Sequence, residues 1–304
     1  MTFRIGVIGA GRMGRTHIKA IAGSDQVVVA GVVEPFAATR EAVAASGLPA
    51  FETLAELLAA TSIDGALVVV PTDQHVAVLA EVMAAGLPVM CEKPCGLTAE
   101  QAAQNAALAQ RTGLPLQVAY WRRFVPDLVA LRHRLLGGEL GEILAVNCFQ
   151  WDEAPPSAAF RTSSGGIYAD MGVHEFDQIR WLTGQDFSVV HAAKSVPGTV
   201  DGDPECAQLA CELDGGSTAV VSLGRWHPPG DMVKVEVYGT KGTAGSVFLN
   251  PADGDVVFLE ALRLQAEDFA RLVRTGEGSG ARAADAVAAL QVAEMAVSQT
   301  AKEL

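Results

Sequence analysis

The stretch Thr2-Phe3-Arg4-Ile5-Gly6-Val7-Ile8-Gly9-Ala10-Gly11-Arg12-Met13-Gly14 decides the fold. Residues 3–9 form a continuous apolar run, as in a strand covered on both faces. The run delivers the chain into Gly-x-Gly-x-x-Gly, and a helical pattern opens at Arg12, the setting in which this loop binds a dinucleotide. Gly9 permits a tight turn, Gly11 lets the backbone approach a pyrophosphate, and Gly14 allows close helix–strand packing. The helix N-terminus, with Arg12 and Met13, favours the anion. A glycine turn without a ligand is the plainer alternative.

Glu34 follows Gly14 by about 20 residues, at the end of the second apolar run, where a carboxylate accepts from an adenosine ribose and repels a 2′-phosphate. The spacing therefore predicts NAD in preference to NADP; a solvated strand-end acid is the alternative. Arg40 stands too far along the next helix to receive a phosphate.

Further apolar runs at 27–34, 65–70, 88–93 and 115–120, with a short step at 49–51, alternate with helical stretches at 12–22, 36–45, 53–60, 74–85 and 98–111. Such alternation predicts an α/β fold with a doubly wound parallel sheet, here a Rossmann domain over residues 1–119. Beyond Tyr120 the texture changes. Strands are predicted at 140–151, 188–194, 205–214, 217–223, 233–239 and 243–250, and Asp214-Gly215-Gly216-Ser217 marks a hairpin. Residues 120–304 thus read as a second α/β domain with a largely antiparallel open sheet, interrupted by a helix at 165–182 that stops at Gly184. A final helix at 281–302 is predicted to pack back on the first domain.

Of 304 residues, 50% are hydrophobic and 19% charged, enough apolar mass for sizeable cores. A net charge of −13 disfavours nucleic acid and anionic membranes as partners. The five cysteines lack both a disulfide framework and zinc-ligand spacing, so no metal is predicted. Residues 2–9 read as a strand rather than a leader, and no run approaches a membrane span, which makes the cytoplasm the expected location.

Two segments carry chemistry. Glu92-Lys93-Pro94 closes the fifth predicted strand at the carboxyl edge, where open α/β sheets bind ligands. A lysine there can steady a substrate oxygen as hydride leaves the adjacent carbon, although the tripeptide alone suits a surface lysine equally well. In Gly165-Gly166-Ile167-Tyr168-Ala169-Asp170-Met171-Gly172-Val173-His174-Glu175-Phe176-Asp177, the residues Asp170, His174 and Asp177 fall at i, i+4 and i+7. On an α-helix they share a face. A histidine flanked by carboxylates suits general acid–base work; an exposed polar face with an incidental histidine is the other reading.

Together, in this order and spacing, these segments resemble the Gfo/Idh/MocA oxidoreductase family over nearly the whole chain. The resemblance implies a Lys93–Asp170–His174 catalytic site at the domain cleft and a cofactor loop at Val70-Pro71-Thr72-Asp73-Gln74-His75. Pro71, Thr72, His75, Glu92 and Lys93 would then lie at the cofactor, His75 as a structural or cofactor-proximal group rather than a base. Tyr120-Trp121-Arg122-Arg123-Phe124 and the Asp170–Asp177 segment are most similar to inositol 2-dehydrogenases. On that likeness Tyr120, Arg122, Arg123, Asp152 and Asp177 are candidates to meet the hydroxyls of a small polyol or sugar, and the chain is expected to form homo-oligomers, dimers or tetramers. The implied reaction is NAD-dependent oxidation of a secondary hydroxyl to a ketone. Aldose oxidation, NAD-dependent glycoside cleavage and a non-catalytic dinucleotide-binding regulator are the alternatives.

Overall fold

A computed structural model describes residues 1–194, 200 and 203–300. The chain divides into two compact units. The first contains Met1–Gly96, Glu100–Trp121 and Leu259–Ala284; the second contains Leu97–Ala99, Arg122–Phe258 and Asp285–Leu304.

The first unit is built on strands β1 (Phe3–Ile8), β2 (Val27–Val33), β3 (Ala50–Phe51), β4 (Gly65–Val68), β5 (Val89–Cys91) and β6 (Leu116–Val118). They lie in the order β6-β5-β4-β1-β2-β3 and pair in parallel. The chain winds outward from β1 to β3 and then restarts beside β1 with β4. The carboxyl end of β1, with its glycine loop, therefore stands at the topological switch point. Helices Arg12–Ile21, Ala37–Ala45, Leu54–Ala60, His75–Ala84 and Ala99–Thr112 follow the strands as the apolar rhythm predicts.

The second unit holds β7 (Ile143–Trp151), β8 (Phe187–Lys194), β9 (Cys206–Leu213), β10 (Thr218–Gly224), β11 (Met232–Gly239) and β12 (Gly242–Leu249), in the order β12-β11-β7-β10-β9-β8. Every neighbouring pair is antiparallel except β7 with β10. Alternation along β9 and β10 buries Ala207, Leu209, Cys211, Ala219, Val221 and Leu223 on one face, the period expected of a sheet covered on one side.

Three helices lie outside the sequence expectations: Pro126–Leu136, Ala158–Ser163 and Val256–Thr275. The last is the longest among the described residues. Its buried Ala266, Phe269, Ala270 and Leu272 join the core formed by Phe3, Ile5, Val7 and Val27, and Phe269 meets Phe3 edge-on at 5.7 Å. Burying such side chains stabilises by about 1.5–3 kcal/mol for each large one. The segment that returns to the first unit is thus Leu259–Ala284. In place of one helix over 281–302, Ala281–Arg282 forms β13, antiparallel to β6, and a helix spans Ala283–Thr300. From Asp285 onward the chain groups with the second unit; residues 301 and 302 lie outside the described ones. Among the described residues, no helix is long and apolar enough to cross a membrane.

Candidate active site

In the first unit the glycine loop has the form that a dinucleotide requires. Gly9 takes φ +102°, and a Cβ on Gly14 would lie 2.2 Å from the Gly9 carbonyl oxygen, so both positions demand glycine. A Cβ on Gly11 would meet nothing within 4 Å, and Gly11 and Arg12 are exposed. The loop thus leaves open the side from which a pyrophosphate approaches, and the residues present fit the cofactor.

Glu34 is buried, its two oxygens accepting from Ala10 N and Phe36 N at 2.9 Å each. Each oxygen retains a lone pair for a ribose hydroxyl. Arg40 is committed elsewhere, donating to the carbonyls of Glu34 and Pro35 and to Glu52. It therefore offers no ready guanidinium for a 2′-phosphate.

The lysine stands on a second anchored loop. After β5, Glu92 is buried with one carboxylate oxygen 2.6 Å from His17 Nε2, while the other accepts from Lys93 N at 3.0 Å. Burial alone would lift the Glu92 carboxyl, but the His17 contact and the Lys93 charge pull it below its ordinary value. Since His17 lies on the helix that the glycine loop opens, one ion pair ties the nucleotide loop to the residue before Lys93. Lys93 is half-buried and precedes a cis proline. His75 is 1% exposed, its ring nitrogens 2.8 Å from the Pro94 carbonyl and 3.0 Å from that of Val70. Burial holds this imidazole below its usual value, against the pull of those carbonyls. It braces two loops and is poorly placed as a base. Pro71 is exposed and Thr72 half-buried on the same turn, and Tyr120 is buried just past β6.

In the second unit, Gly165 and Gly166, both at positive φ, lead into a π-helical turn at Tyr168–Gly172, which passes directly into the α-helix Val173–Thr183. Single π turns inside helices recur at functional sites. Asp170 lies in the π turn and His174 at the start of the α-helix, each 7% exposed. The predicted shared face rests on α-helical spacing, which does not hold across this junction. The other reading, an exposed polar face, does not hold either, since Val173 through Ile179 are all buried.

Partners distinguish Asp177 from Asp170 further. Asp177 is 1% exposed, and its carboxylate accepts both Nε and Nη2 of Arg123, at 3.0 and 2.6 Å. Arg123 also meets Asp285 at 3.1 Å, and these two acids hold it above the ordinary arginine value despite burial. Arg122 lies 2.6 Å from Glu175 and donates to Gln178 and Gln150. Arg122, Arg123 and Asp177 are thus engaged inside the unit. Asp170 instead pairs with Arg225, Nη1 to Oδ2 at 3.3 Å. That arginine follows β10 and was not legible in the sequence, where it stands as a single charge after an apolar run.

Asp152 lies at the end of β7, its backbone bonded to Gly224 and His227. Burial, with Asp231 and Asp170 nearby, raises its carboxyl to about 6. Between the ordinary aspartate value and about 6 the folded protein keeps a proton that the unfolded chain has released. Folding stability therefore falls as pH rises through that window, and the full cost stands above it. Asp152→Asn should raise the melting temperature by roughly 2–4 °C at about pH 7.5 and leave it nearly unchanged at about pH 4. Calorimetry showing the same gain at both values would contradict this.

Cys91, Cys95, Cys148 and Cys211 are buried, and burial pushes the Cys211 thiol up to about 12. They serve as small apolar side chains.

Residues 3–120 match the model of an oxidoreductase family with an NAD-binding Rossmann fold, and residues 128–245 match the GFO/IDH/MocA C-terminal domain. The chain is 48% identical to the rhizopine catabolism protein MocA of Rhizobium meliloti, over 99% of this chain and 96% of that protein. It is 30% identical to an inositol 2-dehydrogenase of Rhizobium meliloti strain 1021, over 100% and 98% of the two chains. The fold also matches a scyllo-inositol dehydrogenase from Lactobacillus casei, solved with NAD(H) and scyllo-inositol, at a TM-score of 0.87. That match has 23% identity and covers 100% of this chain and 98% of the other.

Proposed function

The chain belongs to the Gfo/Idh/MocA family of NAD-dependent oxidoreductases, and we propose that it oxidises one ring hydroxyl of a cyclitol to the ketone. The observation that carries this reading is the full-length likeness to an enzyme named inositol 2-dehydrogenase. Buried Asp170 and His174 beside a π turn, and Lys93 on the anchored loop after β5, supply the groups that such a reaction needs.

His174 accepts the proton of the substrate hydroxyl as the C–O bond becomes a carbonyl. Asp170 supports the imidazolium that forms, and Lys93 donates a hydrogen bond to the same oxygen, steadying its developing negative charge. The Gly9–Gly14 loop and Glu34 would hold NAD, with the Pro71–His75 turn and Glu92 framing the site, and the cofactor would supply the hydride acceptor. Asp152, with Tyr120, borders the substrate, while Arg122, Arg123 and Asp177 shape its wall from inside their ion pairs. One proton and one hydride leave the substrate, which balances its oxidation to the ketone.

A cofactor-reduction screen tests the reading, with NAD and NADP each offered against myo- and scyllo-inositol, aldoses and a rhizopine, the last because of the MocA likeness. Steady accumulation of reduced NAD with a cyclitol supports it. Activity confined to aldoses, or substrate cleavage without free reduced cofactor, replaces it.

We further propose that copies of the chain associate as dimers or tetramers. The exposed Val220, Tyr238 and Val247 on the second sheet support this, and a monomer in sedimentation equilibrium would end it.

A further inference from the structure

Arg225 is the largest fully buried side chain among the described residues, at 0% exposure. A guanidinium out of water needs compensation from opposite charge. Its two terminal nitrogens divide between two acids, Nη1 with Asp170 Oδ2 at 3.3 Å and Nη2 with the Asp203 carboxylate at 3.2 Å. Asp203, 2% exposed, is itself fixed from behind. Arg161 Nε donates to its carboxylate at 2.5 Å and Nη2 to its carbonyl at 2.8 Å, while Nη1 holds Glu205 at 3.0 Å. The charges alternate along one line: Arg161, Asp203, Arg225, Asp170. Three of its members stand at 3% exposure or less, and the fourth is the carboxylate four residues before His174. Arg225 Nε has no hydrogen-bond partner, so the guanidinium is spent on aiming its outer edge at the two carboxylates rather than on satisfying itself.

We propose that Arg225 is a positioning residue for the oxidation: it fixes Asp170 in place and in its ionised form, and Asp203 and Arg161 fix Arg225. The proposal rests on the reading of Asp170 as part of the catalytic site. The charged groups around Asp170 make the arginine necessary. Asp152 and, behind it, Asp231 are like charges in the same neighbourhood, and His174 follows on the adjoining helix. Arg225 is a cation that the structure sets against Asp170. Without it, Asp170 would share a buried acidic neighbourhood and take up a proton at higher pH.

The test is a double-mutant cycle on the full chain with NAD and myo-inositol, or scyllo-inositol if that is the better substrate. Arg225→Lys keeps the cation but loses the fork that reaches two acids at once. It is expected to lower kcat roughly 30- to 100-fold with KM within about threefold. In an Asp170→Asn background the same change should cost less than about threefold, because the group it positions is already gone. If Arg225→Lys costs the same factor in both backgrounds, Arg225 acts on general structure and the proposal falls. If Asp170→Asn alone leaves kcat intact, it is the site reading that fails. Should the lysine variant not fold, Asp203→Asn enters the same cycle, loosening the anchor of Arg225 without touching Asp170. Non-additivity supports the proposal and additivity overturns it.

Discussion

Lys93→Ala is expected to lower kcat by roughly 10²- to 10³-fold while changing the affinity for NAD by less than about threefold. The asymmetry follows from where the charge is needed. In the ground state the substrate oxygen is a neutral hydroxyl, which water or a neighbouring side chain can satisfy. As proton and hydride depart, the oxygen gathers negative charge, and an ammonium beside it is then worth about 2.7–4 kcal/mol. An interaction realised only at that moment appears in kcat rather than in binding. The local structure shows why the backbone should survive the substitution. The Lys93 N–H is held by the Glu92 carboxylate, which His17 pins in turn, and the Pro94 carbonyl is held by His75. None of these anchors uses the lysine side chain. Steady-state kinetics together with calorimetric titration of NAD check the prediction. A rise in KM alone, with kcat intact, would assign Lys93 to uniform binding and remove it from the chemistry.

His174→Asn is expected to cost a comparable factor, about 10²- to 10⁴-fold in kcat, and to abolish the acid limb of the pH profile. The oxidation needs a neutral imidazole to receive the proton, so the wild-type rate rises as His174 deprotonates. Asparagine preserves a polar side chain at the head of Val173–Thr183 but offers no basic nitrogen. The residue is 7% exposed, so bulk water is a poor substitute. Added imidazole should restore part of the rate in His174→Gly, where the vacated space can receive it. An unchanged acid limb in His174→Asn would show that another group takes the proton.

The sheets were legible in the sequence because their signals are local. Continuous apolar runs located β1 to β6 within a residue or two, and the strand-like runs around the Asp214-Gly215-Gly216 turn located β7 to β12. The glycine loop and Glu34 stood out because their spacing is that of a dinucleotide-binding turn. What escaped was what depends on partners distant in the chain. The Val256–Thr275 helix owes its place to Phe3, more than 250 residues earlier. The π turn at Tyr168–Gly172 has no local signature, and α-helical arithmetic gave Asp170, His174 and Asp177 one face. In the structure Asp177 answers to Arg123 and Asp170 to Arg225. Arg225 itself, with Asp203 and Arg161, carries no periodicity and became visible only as a line of alternating buried charge.

The central claim, hydride transfer from a cyclitol carbon to NAD, is tested most directly by following isotope. The protein is incubated with NAD and ring-deuterated myo- or scyllo-inositol, and the dinucleotide is isolated during steady turnover. Reduced NAD accumulating free in solution, with one deuterium on its nicotinamide ring for each ketone formed, is the predicted result. Substrate consumed with the deuterium returned to the product and no free reduced dinucleotide would contradict it, as would no reduction of NAD by either cyclitol.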